Sequence, residues 1–143
     1  MKKSPKPVLR LADDQLCFGC GAKNLRGLHL KFTLDEKRRV IKSCWIPAKE
    51  FQGYAGIVHG GMIALILDEV MVNLLWKLEN PSVTGEMTVR FHRPARVGEP
   101  LDFEAHVDSQ KNRLFQMKGT AKTSAGRLIA SASASCIRVK MKA

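Results

Sequence analysis

The chain has 143 residues, 45% of them hydrophobic and 26% charged, which suits one soluble domain with a single core. The start of the chain lacks the apolar core of a signal peptide, so we expect a cytoplasmic protein. The net charge of +11 predicts anionic partners, but the basic residues are scattered and the aromatic residues are few, which argues against nucleic acid.

The pattern of apolar residues predicts two strands, one helix and then four more strands that form an antiparallel meander. In chain order these segments cover 28–34, 39–46, the helix 62–76, and then 83–92, 101–108, 113–123 and 127–139. One long helix wrapped by one curved antiparallel sheet is an α+β layout. We expect residues 1–16 to form a loose arm and 17–143 a single domain.

The predicted helix follows Val58-His59-Gly60-Gly61 and is apolar almost all the way round, so we expect it to be buried. It is too short and too polar at its middle for a membrane span. Asp68 lies on an apolar face of this helix, where a carboxylate is costly unless it is paired or hydrogen-bonded. This makes Asp68 a candidate catalytic carboxylate, with a local cap or interface hydrogen bond as the alternative. Glu69 lies about 100° away, on a polar stripe with Asn73 and Lys77.

The four cysteines include the pair Cys17 and Cys20, whose spacing fits a zinc site or a redox pair. No second pair completes a ligand set, and His29 is the nearest further ligand. Structural or incidental thiols are therefore the preferred interpretation, and we predict neither a metal nor a cofactor. The last strand alternates alanine and serine over 130–135, and these small side chains would let the helix approach closely.

The chain resembles the hotdog-fold acyl-CoA thioesterases, in particular the branch of phenylacetyl-CoA and 4-hydroxybenzoyl-CoA thioesterases. The motifs that carry the resemblance are Cys17-Phe18-Gly19-Cys20-Gly21, Phe51-Gln52-Gly53-Tyr54, Val58-His59-Gly60-Gly61 with Leu67-Asp68-Glu69, and Val89-Arg90-Phe91-His92-Arg93-Pro94. The resemblance implies a hotdog fold and a homodimer in which two sheets join edge to edge. Relatives often pair two such dimers into a homotetramer, and two active sites lie at each subunit interface.

The activity that the resemblance implies is hydrolysis of an acyl- or aryl-CoA thioester to the free acid and CoA. In relatives the catalytic carboxylate lies nine residues after the histidine, which is Asp68 here, and the next residue after the histidine is Gly60. The Gly60 N–H would polarise the thioester carbonyl, because a helix start offers free N–H groups and a positive dipole end. Asp68 of the partner chain would act as general base, which we favour, or as nucleophile. Glu69 is the competing carboxylate.

His59 has two open roles, one as the cap of the helix start and one in positioning substrate. Relatives often have Asn or Gln six residues before the histidine, where this chain has Gly53, so Gln52 is the expected substitute. The residues expected to contact substrate are Gln52, Gly61, Glu86, Arg90 and Arg93. Glu86 in the pocket would disfavour an acyl group that carries a carboxylate. Arg90 and Arg93 would contact the phosphate groups of CoA. For each of these three residues, the alternative is a solvent-exposed position with no contact to substrate.

Two alternatives remain within the same fold. One is a hotdog protein that binds acyl-CoA without hydrolysing it, as a sensor or a carrier. A regulator of that kind needs a DNA-binding module, and the arm before Cys17 is too short for a helix-turn-helix. The other is a hotdog dehydratase, which uses a different layout of histidine and carboxylate.

Overall fold

The computed structural model describes Ser4 and residues 9–142. Residues 1–3 and 5–8 of the predicted arm 1–16 therefore lie outside the described residues. The elements in chain order are β1 (Arg10–Leu11), β2 (Thr33–Asp35), β3 (Val40–Trp45), a 3-10 turn (Lys49–Phe51), α1 (Gly60–Lys77), β4 (Ser82–Phe91), β5 (Leu101–Lys111), β6 (Leu114–Thr123), β7 (Leu128–Arg138) and β8 (Lys140–Met141). The short strands β1 and β8 pair in parallel and form a two-stranded sheet.

The main sheet has six antiparallel strands in the order β2-β3-β5-β6-β7-β4. Strands β5, β6 and β7 form the predicted meander, but the prediction that all four late strands follow one another is wrong. β4 pairs with β7, as in the pair Phe91 and Ala130, and therefore lies at the edge of the sheet. Residues 92–100, with two prolines, connect β4 to β5, and this connection is longer than a tight hairpin loop.

The first predicted strand, 28–34, is reduced to the three residues of β2. The backbone before it is bound elsewhere, because Leu28 N–H donates to the Phe18 carbonyl and Leu30 N–H donates to the Gly19 carbonyl. His29, between them, has a φ of 52°, which no extended strand adopts. Residues 28–30 therefore belong to a loop that also contains the Cys17 and Cys20 pair.

The helix α1 lies across the concave face of the main sheet and supplies much of the core. Its fully covered side chains are Ile63, Ile66, Leu67, Val70, Met71, Leu74 and Leu75. The sheet beneath it is lined with small residues, since Ala130, Ala132 and Ala134 of β7 are buried, and Gly119 of β6 faces Leu67 and Met71. The predicted close approach of the helix to the last strand is confirmed. No helix in the described part of the chain is both long and apolar enough to cross a membrane.

One side of α1 is less covered than the sequence predicts. Ala64, Leu65, Asp68 and Val72 are only half-buried, and Gly61 is exposed. Next to this stripe, the outer edge of β4 has no partner strand among residues 9–142. The expectation of a helix buried on all sides is therefore wrong for a single chain, because the one sheet covers only part of the helix surface.

Candidate active site

The start of α1 is capped by the residue that precedes it. His59 has an extended backbone (φ −60°, ψ 127°), and its Nδ1 accepts a hydrogen bond of 2.9 Å from the Gly61 N–H. This contact bears out the capping role, with Nδ1 as the acceptor of the hydrogen bond. The Gly60 N–H donates to no acceptor in the described part of the chain. A free donor is therefore available at the positive end of an 18-residue helix.

The loop before the helix is held by its own hydrogen bonds. Gln52 Oε1 accepts from the Gly56 N–H at 3.0 Å, and Gly53 N–H donates to the Ile57 carbonyl at 2.8 Å. Gly56 has a φ of 78°, a left-handed conformation that suits glycine in a turn. The side-chain oxygen of Gln52 is thus already engaged in shaping the loop that leads to His59.

Two cavities open beside Gly60. One, of about 430 Å³, is lined by Gly53, Tyr54, Ile57, Val58, His59 and Gly60. The other, of about 200 Å³, is lined by Val58, Gly60, Ile63 and residues 91–95. A larger cleft of about 550 Å³ crosses β3, β5 and β6 on the outer face of the sheet, away from the helix start. Gly60 lines both of the smaller cavities and is not part of the larger cleft.

Asp68 lies just over two turns further along α1 and is held by the neighbouring edge strand. Its Oδ1 accepts a hydrogen bond of 2.5 Å from Thr84 Oγ1, so the half-buried carboxylate is partnered, as its position requires. The Thr84 hydroxyl also lies 3.8 Å from Cys136 Sγ. Burial raises the pKa of the Cys136 thiol, and the nearby Asp68 charge raises it further, whereas the Thr84 contact acts in the opposite direction.

Thr84 reaches the helix because β4 contains an irregularity at Gly85. The register shifts between Thr84 and Glu86, so Thr84 pairs with the buried Cys136 while Glu86 pairs with Ser135 on the opposite face. Regular alternation would put Thr84 and Glu86 on the same face. A glycine inside a strand pattern is the signal that could have revealed this bulge from the sequence.

The other residues expected to contact substrate are distributed over both faces of the sheet. Glu86 and Arg90 are exposed on the face away from α1, so a single chain does not bring them to Gly60 or Asp68. Arg93 lines the 200 Å³ cavity beside Gly60, where its Nη1 donates to the Leu128 carbonyl at 3.3 Å. Gly61 is exposed next to the helix start.

The competing carboxylate Glu69 points away from Asp68. Its Oε1 accepts from Cys17 Sγ at 3.3 Å, and its Oε2 accepts from Asn73 Nδ2 at 3.1 Å. The polar stripe is therefore half-buried at Glu69 and Asn73, beneath the loop that carries Cys17 and Cys20. Burial, together with the charge of Glu69, raises the pKa of Cys20 to about 12.

One chain does not bring Gly60 and Asp68 together. They are eight residues apart on the same straight element, which corresponds to roughly 12 Å along the helix axis. Each chain therefore offers a donor at one point of α1 and a hydrogen-bonded carboxylate at another, with the half-buried stripe between them.

A single long helix wrapped by a curved antiparallel sheet, with a glycine start that exposes a free N–H, defines a hotdog-fold protein. The sequence profile of the thioesterase superfamily matches residues 55–130. The chain belongs to this superfamily of thioester hydrolases.

Among curated relatives, the chain is similar to human acyl-coenzyme A thioesterase 13, with 31% identity over 113 residues that cover 76% of this chain and 81% of that protein. The mouse protein of the same name is 31% identical over 78 residues, which cover 52% of this chain and 56% of the mouse protein. The chain therefore spans little more than half the length of that relative.

Among solved structures, a thioesterase superfamily protein is similar with a TM-score of 0.81 and 22% identity, covering 94% of this chain and 69% of that chain. A hypothetical thioesterase of Streptococcus pneumoniae TIGR4 with coenzyme A has a TM-score of 0.71 and 14% identity, covering 79% of this chain and 89% of that chain. The same bacterial protein has also been solved as an aspartate-to-alanine and a threonine-to-alanine mutant.

Proposed function

We propose that this protein hydrolyses the thioester bond of an acyl- or aryl-CoA to the free acid and CoA. The observation that carries the proposal is the free N–H of Gly60 at the start of α1, which opens on two cavities. Thioester hydrolysis develops negative charge on the carbonyl oxygen. A fixed N–H donor at a positive helix end stabilises that charge without reorganising in the transition state.

Asp68 is the proposed general base, and Thr84 is the residue that positions it. The hydrogen bond from Thr84 leaves Asp68 Oδ2 available for a water molecule on the uncovered side of the helix. In the mutants of the streptococcal relative, the altered aspartate and threonine lie sixteen residues apart, the same separation as Asp68 and Thr84. This agreement supports a shared role for the pair.

The proposed site is completed by a second copy of the chain. Because Gly60 and Asp68 are roughly 12 Å apart along one helix, an Asp68 carboxylate close to the Gly60 N–H has to come from another chain. The unpaired edge of β4 and the half-buried stripe of α1 form a continuous surface that suits such a partner. We therefore propose a homodimer joined at β4, with two equivalent sites, and leave a further pairing into tetramers as an expectation.

In the proposed reaction, Asp68 takes a proton from water as the water oxygen bonds to the thioester carbon. The negative charge moves to the carbonyl oxygen, which the Gly60 N–H of the other chain stabilises. Collapse of this intermediate breaks the carbon–sulfur bond, and the CoA thiolate leaves and is protonated. The products are the carboxylic acid and CoA.

Arg93 is the proposed contact for the phosphate groups of CoA, because it borders the cavity beside Gly60 and a guanidinium suits phosphate geometry. The net charge of +11 favours the approach of such an anionic substrate. Glu86 and Arg90 lie on the other face of the sheet and are left out of the proposed site.

The test is thiol release from a panel of short, medium, long and aryl acyl-CoAs by the wild-type chain and by Asp68→Asn. The variant keeps the shape of the side chain and removes the base, so kcat should fall by about two decades or more with little change in KM. Glu86→Gln, which changes an exposed carboxylate on the other face of the sheet, is the matched control and should retain most of the activity. If the wild type binds acyl-CoA and hydrolyses none of the panel, the protein is a sensor or carrier instead.

A single turnover in ¹⁸O-labelled water, combined with hydroxylamine trapping of an acyl-enzyme, distinguishes general base from nucleophile. With Asp68 as base, the label enters the released acid in the first turnover and no acyl-enzyme is trapped. With Asp68 as nucleophile, an acyl–Asp68 anhydride forms and is trapped, and where water attacks its Asp68 carbonyl the acid leaves unlabelled and the label is recovered in Asp68. We expect the first result.

A further inference from the structure

We propose that Cys17 Sγ, Cys20 Sγ and Glu69 Oε1 bind one zinc ion, which fastens the loop before β2 to the middle of α1. The proposed thioesterase chemistry uses none of these three groups. Cys17 and Cys20 lie in the loop, and Glu69 lies on the helix, about fifty residues later in the sequence.

The three ligand atoms already have the spacing of a metal site. They all lie within 4.8 Å of one another, and the distance from Cys17 Sγ to Glu69 Oε1 is 3.3 Å. In a tetrahedral site with Zn–S near ~2.3 Å and Zn–O near ~2.0 Å, a sulfur and an oxygen ligand are separated by about 3.5 Å. Small side-chain shifts are therefore enough to admit the ion.

The backbone of the loop is fitted closely to this arrangement. Gly21 N–H donates to the Cys17 carbonyl at 2.8 Å, which folds the two cysteines into one tight turn. A Cβ at Gly19 would lie 2.4 Å from Glu69 Cδ, and a Cβ at Gly21 would lie 2.4 Å from Cys17 N. A larger residue at Gly19 would displace the Glu69 side chain from the thiols, and one at Gly21 would distort the turn that holds the two cysteines, so either change would separate the ligands.

Glu69 is oriented toward the thiols by its neighbour on the helix. Asn73 Nδ2 donates to Glu69 Oε2 at 3.1 Å and to the Glu69 carbonyl at 2.8 Å. These hydrogen bonds hold one carboxylate oxygen of Glu69 and leave the other facing Cys17. Carboxylates that bind metals are commonly oriented by hydrogen bonds of this kind. Cys17 is exposed, so a water molecule can reach the cluster as the fourth ligand.

The donor set selects zinc over the other common divalent ions. Two thiolates and one carboxylate are poor ligands for magnesium and calcium, which prefer oxygen donors, whereas zinc accepts sulfur and oxygen together. Because the ligands come from two distant parts of the chain, the free energy of zinc binding adds to the stability of the folded chain. The site would hold the loop on the face of α1 adjacent to Asp68.

The first experiment measures the metal content of the untagged 143-residue chain, purified without chelator. We expect about one zinc per chain, loss of the zinc in Cys17→Ser and Cys20→Ser, and retention in Cys44→Ser, which changes an exposed cysteine on β3. Asn73→Ala should bind zinc about 10–100-fold more weakly. Replacement of zinc by cobalt should give a thiolate charge-transfer band that Cys20→Ser abolishes.

Zinc binding by the wild type is sufficient to test the proposal, so the test does not depend on whether each variant folds. A purified chain that holds no zinc and fails to take up added zinc in competition with a chromophoric chelator would refute the site. Retention of zinc by Cys17→Ser or Cys20→Ser would also refute the site. So would a Cys17–Cys20 disulfide in the purified wild type, which native mass spectrometry would detect as a mass lower by two hydrogens. Conversely, chelator treatment of the zinc form should lower the melting temperature, whatever the outcome of the thioesterase assay.

Discussion

Thr84 Oγ1 donates a hydrogen bond of 2.5 Å to Asp68 Oδ1, and this contact joins the edge strand β4 to the uncovered side of α1. Both residues lie next to the surface at which a second chain is proposed to bind. In the proposed dimer, the carboxylate is therefore oriented by its own chain toward a site that the second chain completes.

Thr84→Val removes the donor while keeping a side chain of similar shape. A hydrogen bond to a charged group contributes about 1.5–3 kcal/mol, so kcat for acyl-CoA hydrolysis should fall about 10–100-fold while KM changes little. Thr84→Ser keeps the hydroxyl and should recover most of the activity. Full activity in Thr84→Val would reduce Thr84 to a packing role.

Gly60→Pro tests the N–H donor directly. Proline is accepted at the first position of a helix, and His59 already has the extended backbone that a following proline requires. Loss of the donor should lower kcat about 10²–10³-fold. Gly60→Ala is the control, because it makes the same 3.3 Å approach of Cβ to Phe91 but keeps the N–H, and it should lose far less activity.

Hybrid dimers of Asp68→Asn and Gly60→Pro test whether the site is shared between chains. If Gly60 of one chain works with Asp68 of the other, each hybrid dimer contains one wild-type site and one site with both changes. Co-expression with two different tags and isolation of the hybrid should then give about half of the wild-type kcat per dimer. A hybrid as inactive as its two parents would mean that each site belongs to one chain.

Arg93→Ala should raise KM for acyl-CoA about tenfold or less, since the contact is exposed and partly screened by salt. The effect should diminish as ionic strength rises. Arg90→Ala removes the same charge from the opposite face of the sheet and should leave KM nearly unchanged. Equal effects of the two substitutions would indicate that only the overall charge of the protein matters.

Gly119→Val should destabilise the fold by about 1–3 kcal/mol, because the chain has no space for branched methyl groups between β6 and α1. A Cβ at this position would already lie 3.5 Å from Leu67 and 3.6 Å from Met71, which is ordinary contact. Gly119→Ala should therefore cost much less. Denaturant unfolding followed by circular dichroism measures both, and equal stability of Val and Ala would contradict the tight packing under the helix.

Much of the fold follows from local patterns. The helix was predicted over 62–76 and spans Gly60–Lys77, and the alternating segments correspond closely to β3, β5, β6 and β7. Helical and strand periods are properties of neighbouring residues, so a sequence displays them without knowledge of the fold. The position of Asp68 on the helix also singled out that residue, whereas Gly60 was assigned through the family resemblance, and both roles remain proposals.

Contacts between distant segments were not visible in this way. The place of β4 beside β7 depends on how a nine-residue connection crosses the sheet, which periodicity does not encode. Regular alternation would put Glu86, the expected pocket residue, on the same face of β4 as Thr84. The bulge at Gly85 separates the two, so that Thr84 faces α1 and Glu86 lies on the opposite face. Cys17 and Cys20 lacked a third ligand until the fold brought Glu69 to them.

The α+β layout, the helix with its glycine start and the carboxylate on the apolar face of that helix follow from the order of residues alone. Only the packed fold shows which strand lies at the edge of the main sheet, which hydroxyl binds Asp68, and what lies against the two cysteines. Backbone periodicity acts over a few residues, whereas strand register and the contacts between distant side chains are set by packing across the whole domain.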